Sequence, residues 1–216
     1  MALYKYVKKE HLDAFFTKGS IKIGSLYEYR QVEKYGTVIG DDNEGIYHTE
    51  LSKNGTHEID LSSTSAEAEF FRNHVLRPDQ RNSNVKVVME DGAKIISQSN
   101  SPDLYIYCVS KEFNVEVMKE FGCDSCIEIV RPDIFFNAIS KKIRHKAKYD
   151  NVVEIVYGGK TAHYTRPHQV HPAIKKGTDY SYQKEVRAIW TPKKEIKSPI
   201  FVDVPKAIRA CRVFAI

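Results

Sequence analysis

Residues 103–110 read DLYIYCVS, a near-continuous apolar run rich in aromatic and β-branched side chains. A run of this kind marks a strand buried centrally in a sheet. The rest of the chain must supply its neighbours and the layers that cover it. SCIEIV, VVEIVYGG, KEVRAIW and IFVDV read as further strands, and Ile21, Ile23 and Leu26 suggest a short strand and turn before it. Helical patterns lie between them. In EHLDAFFTKG, Leu12, Phe15 and Phe16 share a face and Gly19 supplies a stop, while NVEVMKEFG ends at Gly122. PDIFFNAISKKIRHKA carries proline at its first position and basic residues in its last turn. A short helix is expected in SAEAEFFRNHVL. VKVVMEDGAKIISQS reads as a hairpin, because strand alternation flanks the turn pair Asp91-Gly92. With no internal repeat and no linker-like tract, the expectation is one α+β domain over residues 1–216, with a mainly antiparallel, twisted sheet and a few short helices.

Composition removes several classes. At 216 residues, 42% hydrophobic and 28% charged, the chain is neither disordered nor fibrous. No apolar run approaches the roughly 18 residues of a bilayer span, and MALYKYVKKEHLDAFF lacks the apolar core of a signal peptide. Cys108, Cys123, Cys126 and Cys211 sit beside apolar strand residues, as reduced core thiols do. The Cys123-x-x-Cys126 spacing has no second ligand pair at finger distance, so packing is expected and metal is not. A cytoplasmic protein without membrane partners follows. The net charge of +5 suits nucleotide or nucleic-acid partners. P-loop, G-x-G-x-x-G, G-x-S-x-G and H-E-x-x-H motifs are all absent from the sequence.

Polar groups concentrate at strand ends. In DYSYQKEVRAIW, strand alternation would put Gln183, Glu185, Arg187 and Ile189 on one face and Tyr182, Lys184, Val186 and Ala188 on the other. Such a face is either a site, a partly buried ion pair, or an edge facing water. Arg30, in SLYEYRQVEKYG, can offer a planar fork to phosphate or pair with a carboxylate. Ser110 closes the central strand. The acidic cluster Asp41, Asp42 and Glu44 in DDNEG reads as a solvated turn, because it lacks the ligand spacing of a calcium loop. HYTRPHQVHP gathers His163, Arg166, His168 and His171, with Lys175 and Lys176 following and Tyr164 and Tyr180 interleaved. A solvated loop is expected there, able to contact substrate or a polyanion.

Taken in order, these segments resemble a bacterial and phage family known only as a domain of unknown function. The features carrying the resemblance are the K-Y opening, the acidic D…EG turn, Cys108-Val109-Ser110, the C-I-E-I strand within Gly122 to Ile129, and Tyr182-x-x-Glu185-x-Arg187. A looser resemblance is to ADP-ribosyltransferases, through Gln183-Lys184-Glu185 as a Q-x-E pattern on a late strand; SSTS at Ser62 to Ser65 matches their middle motif by letters only. The second resemblance implies NAD as substrate and no metal. Glu185 would stabilise an oxocarbenium-like centre, Gln183 would orient the acceptor and Arg30 would hold the pyrophosphate. Tyr6 or Tyr29 would stack on nicotinamide, with Ser110, Arg187, His163, Arg166 and His168 as substrate contacts. The expectation is an NAD- or nucleotide-processing enzyme, such as a toxin or phage-defence effector. The alternative is a non-catalytic nucleic-acid or nucleotide-binding module using residues 163–176.

Overall fold

The computed structural model describes residues 1–81, 85–166 and 168–215. Pro167, in the histidine-rich loop, therefore lies outside the described residues. The chain gathers into two compact units. The first comprises Met1–Gly45, Pro102–Gly158 and Ala173–Ile216, and the second Ile46–Ser101 and Gly159–Pro172. The α+β class and the mainly antiparallel sheets are as the sequence pattern implied.

In the first unit the strand Tyr105–Ser110 is the hub. Along one edge it pairs antiparallel with Glu185–Pro192, from Glu185 opposite Ser110 to Trp190 opposite Tyr105, and that strand pairs in turn with Ala147–Glu154. The other edge is shared. Ser20–Ser25 pairs at Tyr105 and Ile106, and Leu3–Val7 pairs at Ser110. Ser125–Ile129 and Cys211–Val213 extend the sheet beyond Leu3–Val7, and Ile200–Asp203 extends it beyond Ser20–Ser25.

Alternation sorts the two faces. Tyr107, Val109, Val186, Ala188 and Trp190 join one buried cluster with Phe135, Phe136, Ile139 and Ile143 of the helix Pro132–Ile143. Each such aliphatic or phenyl side chain contributes about 1.5–3 kcal/mol by leaving water. The Trp190 indole N–H donates to Ser140 Oγ at 2.8 Å, which satisfies its one polar atom. Cys108, Glu185 and Arg187 lie on the opposite face.

The polar stretch after Ser25 is partly helical: Val32–Ile39 forms a short helix broken at Gly36, where φ is 68°. The strand expected from residue 182 begins instead at Glu185. Thr178–Gln183 is a 3₁₀ turn, and Lys184 is left-handed at φ 45°. Gln183 thus reaches the Glu185 face from a turn, not by strand alternation.

The second unit corrects the Asp91-Gly92 hairpin. Lys86–Met89 and Lys94–Asn100 are both strands, but Lys86–Met89 pairs with His57–Asp60 and Lys94–Asn100 pairs with Ile46–Ser52. Ser52 faces Lys94 and, five residues on in one strand and five back in the other, His57 faces Met89, so one register runs through both pairings. The unit is a single long antiparallel ribbon with a corner in it. Gly55 and Gly92 both take positive φ at that corner, and Asp91 Oδ1 accepts the Gly55 N–H at 2.5 Å. Asp-Gly here bends a strand opposite a second bend; it does not reverse the chain. Thr161–His163 adds a parallel strand on Ile46–Ser52. The helix Ala66–His74, capped by Ser65 accepting from Ala68 N, covers Leu51, Ile59, Leu61 and Met89 with Phe70 and Phe71. Ser65 is therefore a helix cap, and SSTS is not a strand.

Candidate functional site

On the face of the first sheet opposite the Pro132–Ile143 helix lies a cavity of about 220 Å³. Its walls are aromatic, with Tyr4 and Tyr6 from the N-terminal strand, Tyr29 and Tyr35 from the segment after Ser25, and Phe121. The Tyr6 ring makes edge contacts with Phe113 and Phe121, and its hydroxyl accepts from Asn114 N at 2.8 Å and donates to Glu112 O at 3.1 Å. Tyr29 packs on bare backbone, since a Cβ at Gly24 would sit 2.9 Å from its ring. Among the described residues no group pairs with the Tyr29 hydroxyl. Burial raises the Tyr29 pKa well above its ordinary value, so this hydroxyl is neutral and can both donate and accept.

The floor is ionic. The Arg187 guanidinium is bidentate to Glu44, with Nη1 to Oε1 at 3.0 Å and Nη2 to Oε2 at 3.1 Å, and its Nε donates to Glu185 Oε1 at 2.8 Å. Nη1 also donates to Ala173 O. Lys176 Nζ meets Glu185 Oε2 at 2.7 Å and Gln183 Oε1 at 3.0 Å, and Gln183 Nε2 donates to Val38 O. Arg187 and Glu44 are each only 1% exposed, and Lys176 is 4% exposed, so the cluster is dry. Two carboxylates face two cations, and the sum is neutral. Burial pushes the Glu185 carboxyl up, but Arg187 and Lys176 more than reverse that and hold it below the usual carboxylate range. Both Glu185 oxygens are held by cations, so it is an ionised, fixed acceptor and not a free base.

The thiols lining the cavity are inert: burial pushes Cys108 up to about 12 and raises Cys123 as well. Ser110 is committed, its Oγ lying 2.6 Å from Glu112 O and 3.0 Å from Gln183 O.

Six of the residues proposed from sequence thus meet at one cavity: Glu185, Gln183, Arg187, Tyr6, Tyr29 and Ser110. Arg30 does not line it. Arg30 Nε donates to Glu44 O at 2.6 Å and its guanidinium stacks 3.9 Å from the Tyr27 ring, so it braces the turn that presents Glu44. His163, Arg166 and His168 belong to the second unit and are not lining residues. His163 Nδ1 is 2.8 Å from Thr165 Oγ1, and the His168 ring lies 4.3 Å from Tyr47 with Nε2 3.1 Å from His48 O.

Two expectations are corrected. The DDNEG turn is solvated only at Asp42 and Asn43, because Asp41 and Glu44 are buried and Glu44 is the main partner of Arg187. Lys176 is no member of a solvated basic patch, because it is sealed against Glu185 over the Tyr180 ring. Unpaired, either charge would be too costly to bury; the partner of Glu44 lies far away in sequence, and that of Lys176 meets it only because the Thr178–Gln183 turn folds the chain back. Tyr4, Lys5 and Tyr35, which also line the cavity, carried no sequence signal beyond the K-Y opening. No family model, curated protein or solved structure matches the chain.

Proposed function

We propose that the protein acts on NAD or a related nucleotide, taking one planar ring into the tyrosine-walled cavity above Glu185 and Arg187. The observation that carries this reading is the convergence of aromatic walls, an unpartnered Tyr29 hydroxyl and a fixed polar floor on one cavity. Aromatic faces hold a heteroaromatic ring by stacking, and a few fixed polar groups orient it. Size decides how much enters. About 220 Å³ falls below the roughly 300–1,000 Å³ of pockets for whole drug-sized ligands, so a single ring enters and the remainder lies outside.

If the substrate is NAD, the C–N glycosidic bond breaks with its electron pair leaving on nicotinamide. An acceptor oxygen then bonds C1′ and gives up its proton to water. Glu185 supplies negative charge toward that centre, but its two cations offset much of it. That saturation favours a second reading, in which the cavity recognises a nucleotide without turning it over. Incubation with labelled NAD and with mononucleotides, followed by product separation and equilibrium binding, decides the matter. Product formation that Tyr29→Ala abolishes supports the enzyme, and binding without product supports recognition. Absence of both, for every nucleotide tried, would overturn the proposal.

A further inference from the structure

We propose that Lys5 is the anion-binding residue of this cavity, so that among NAD-related nucleotides it favours one whose ring carries a carboxylate in place of the nicotinamide carboxamide, at the end nearest Cys108. The inference rests on the ring-binding reading and names the charge of its ligand. Lys5 lines the cavity with Cys108 and Cys123. It reaches there because the sheet has a gap. Of the shared edge of the central strand, Tyr105, Ile106 and Ser110 have strand partners and the stretch between them has none. Lys5 Nζ donates to the Cys108 carbonyl in that gap at 2.9 Å.

Two contacts hold the ammonium from the protein side: the N–H donated to Cys108 O and the Tyr107 ring, whose centroid lies 4.8 Å from Nζ. Neither contact neutralises its charge. Of the charged residues lining the cavity, Glu44, Glu185, Arg187 and Lys176 neutralise one another, whereas Lys5 has no carboxylate within 4 Å among the described residues. The lining therefore carries one uncompensated positive charge, half-buried and beside two thiols that burial keeps protonated. A cation so placed favours an anion over a neutral group of the same shape, because a charge-assisted hydrogen bond in low dielectric is worth more than a neutral one.

The test uses an isosteric pair of single-ring probes, nicotinate and nicotinamide, titrated calorimetrically into the full chain at low salt. The expected result is that nicotinate binds tighter by on the order of tenfold or more. Lys5→Gln, which still offers an N–H to the Cys108 carbonyl, should erase that preference, and Lys5→Arg should keep it. Equal binding of both probes to the wild type overturns the anion assignment while leaving the ring site standing. A preference that survives Lys5→Gln overturns the role of Lys5. If neither probe nor any nucleotide binds, the ring site itself fails. Should Lys5→Gln not fold, the wild-type preference and its decline with added salt still decide the question.

Discussion

The first unit holds two clusters built on the same chemistry, and they behave differently. Glu185 is clamped by Arg187, two residues on, and by Lys176 from the segment before the Thr178–Gln183 turn, and both cations are almost wholly shielded from water. Glu28 is clamped by Lys22, Lys34 and the Tyr35 hydroxyl, all within a few residues, with Lys22 36% and Lys34 56% exposed. Both carboxyls are held below their ordinary range against burial, which by itself would raise them. Both carboxylates are buried; what separates the clusters is the exposure of their cations. In the first, removing one partner strands a charge where water cannot reach it. In the second, the lysines reach water, and when one is removed the other and the Tyr35 hydroxyl still hold Glu28.

The largest effect should come from Arg187→Met. It leaves Glu44 and Glu185 with Lys176 alone, and urea denaturation should show a loss of about 3–5 kcal/mol. A change under about 1 kcal/mol would put Arg187 in a solvated site and remove the distinction between the clusters. By the same logic Glu185→Gln should be unstable, with any loss of ligand binding following the unfolding.

Acid should come next. A carboxyl held low in the folded state adds stability that is complete above its unfolded pKa of about 4.3 and is lost as pH falls toward the folded value. Thermal melts should therefore be flat with pH above the carboxylate range and drop below it. Glu185→Gln should flatten that acid limb more than Glu28→Gln does, because Glu185 is held by two buried cations. Equal flattening would make the two clusters equivalent.

Smaller still is Lys22→Met, which should cost about 1 kcal/mol or less in the same urea assay, since Lys22 is partly exposed and Lys34 and the Tyr35 hydroxyl still hold Glu28. The exposed Lys86–Glu58 pair in the second unit marks the lower end. Exchanging both residues for alanine should leave the melting temperature within error.

The same contrast explains what could be read from the sequence. Local signals were legible, including the buried run at Tyr105–Ser110, the proline-started helix at Pro132, the Gly19 stop, and Glu185 and Arg187 on one face. Pairings made by the tertiary fold were not. DDNEG looks solvated until Arg187, far along the chain, is seen to close on Glu44. Lys176 looks like part of a basic loop until Glu185 covers it. Asp91-Gly92 looks like a hairpin because nothing local reveals that Gly55 bends the opposing strand in step. The Val32–Ile39 helix was hidden by its brevity and its break at Gly36. Gln183 lines the same cavity as Glu185 but from a turn, since the left-handed Lys184 interrupts the strand alternation.

The claim most in need of trial is that the tyrosine-walled cavity is where a nucleotide binds. Backbone amide shift mapping during titration with NAD and mononucleotides addresses it directly. The account predicts that the perturbed amides cluster at Tyr4 to Tyr6, Tyr29, Ser110 and Glu185, and that Tyr29→Ala abolishes them. Perturbations confined to His163, Arg166 and His168, or none at saturating nucleotide, would contradict it.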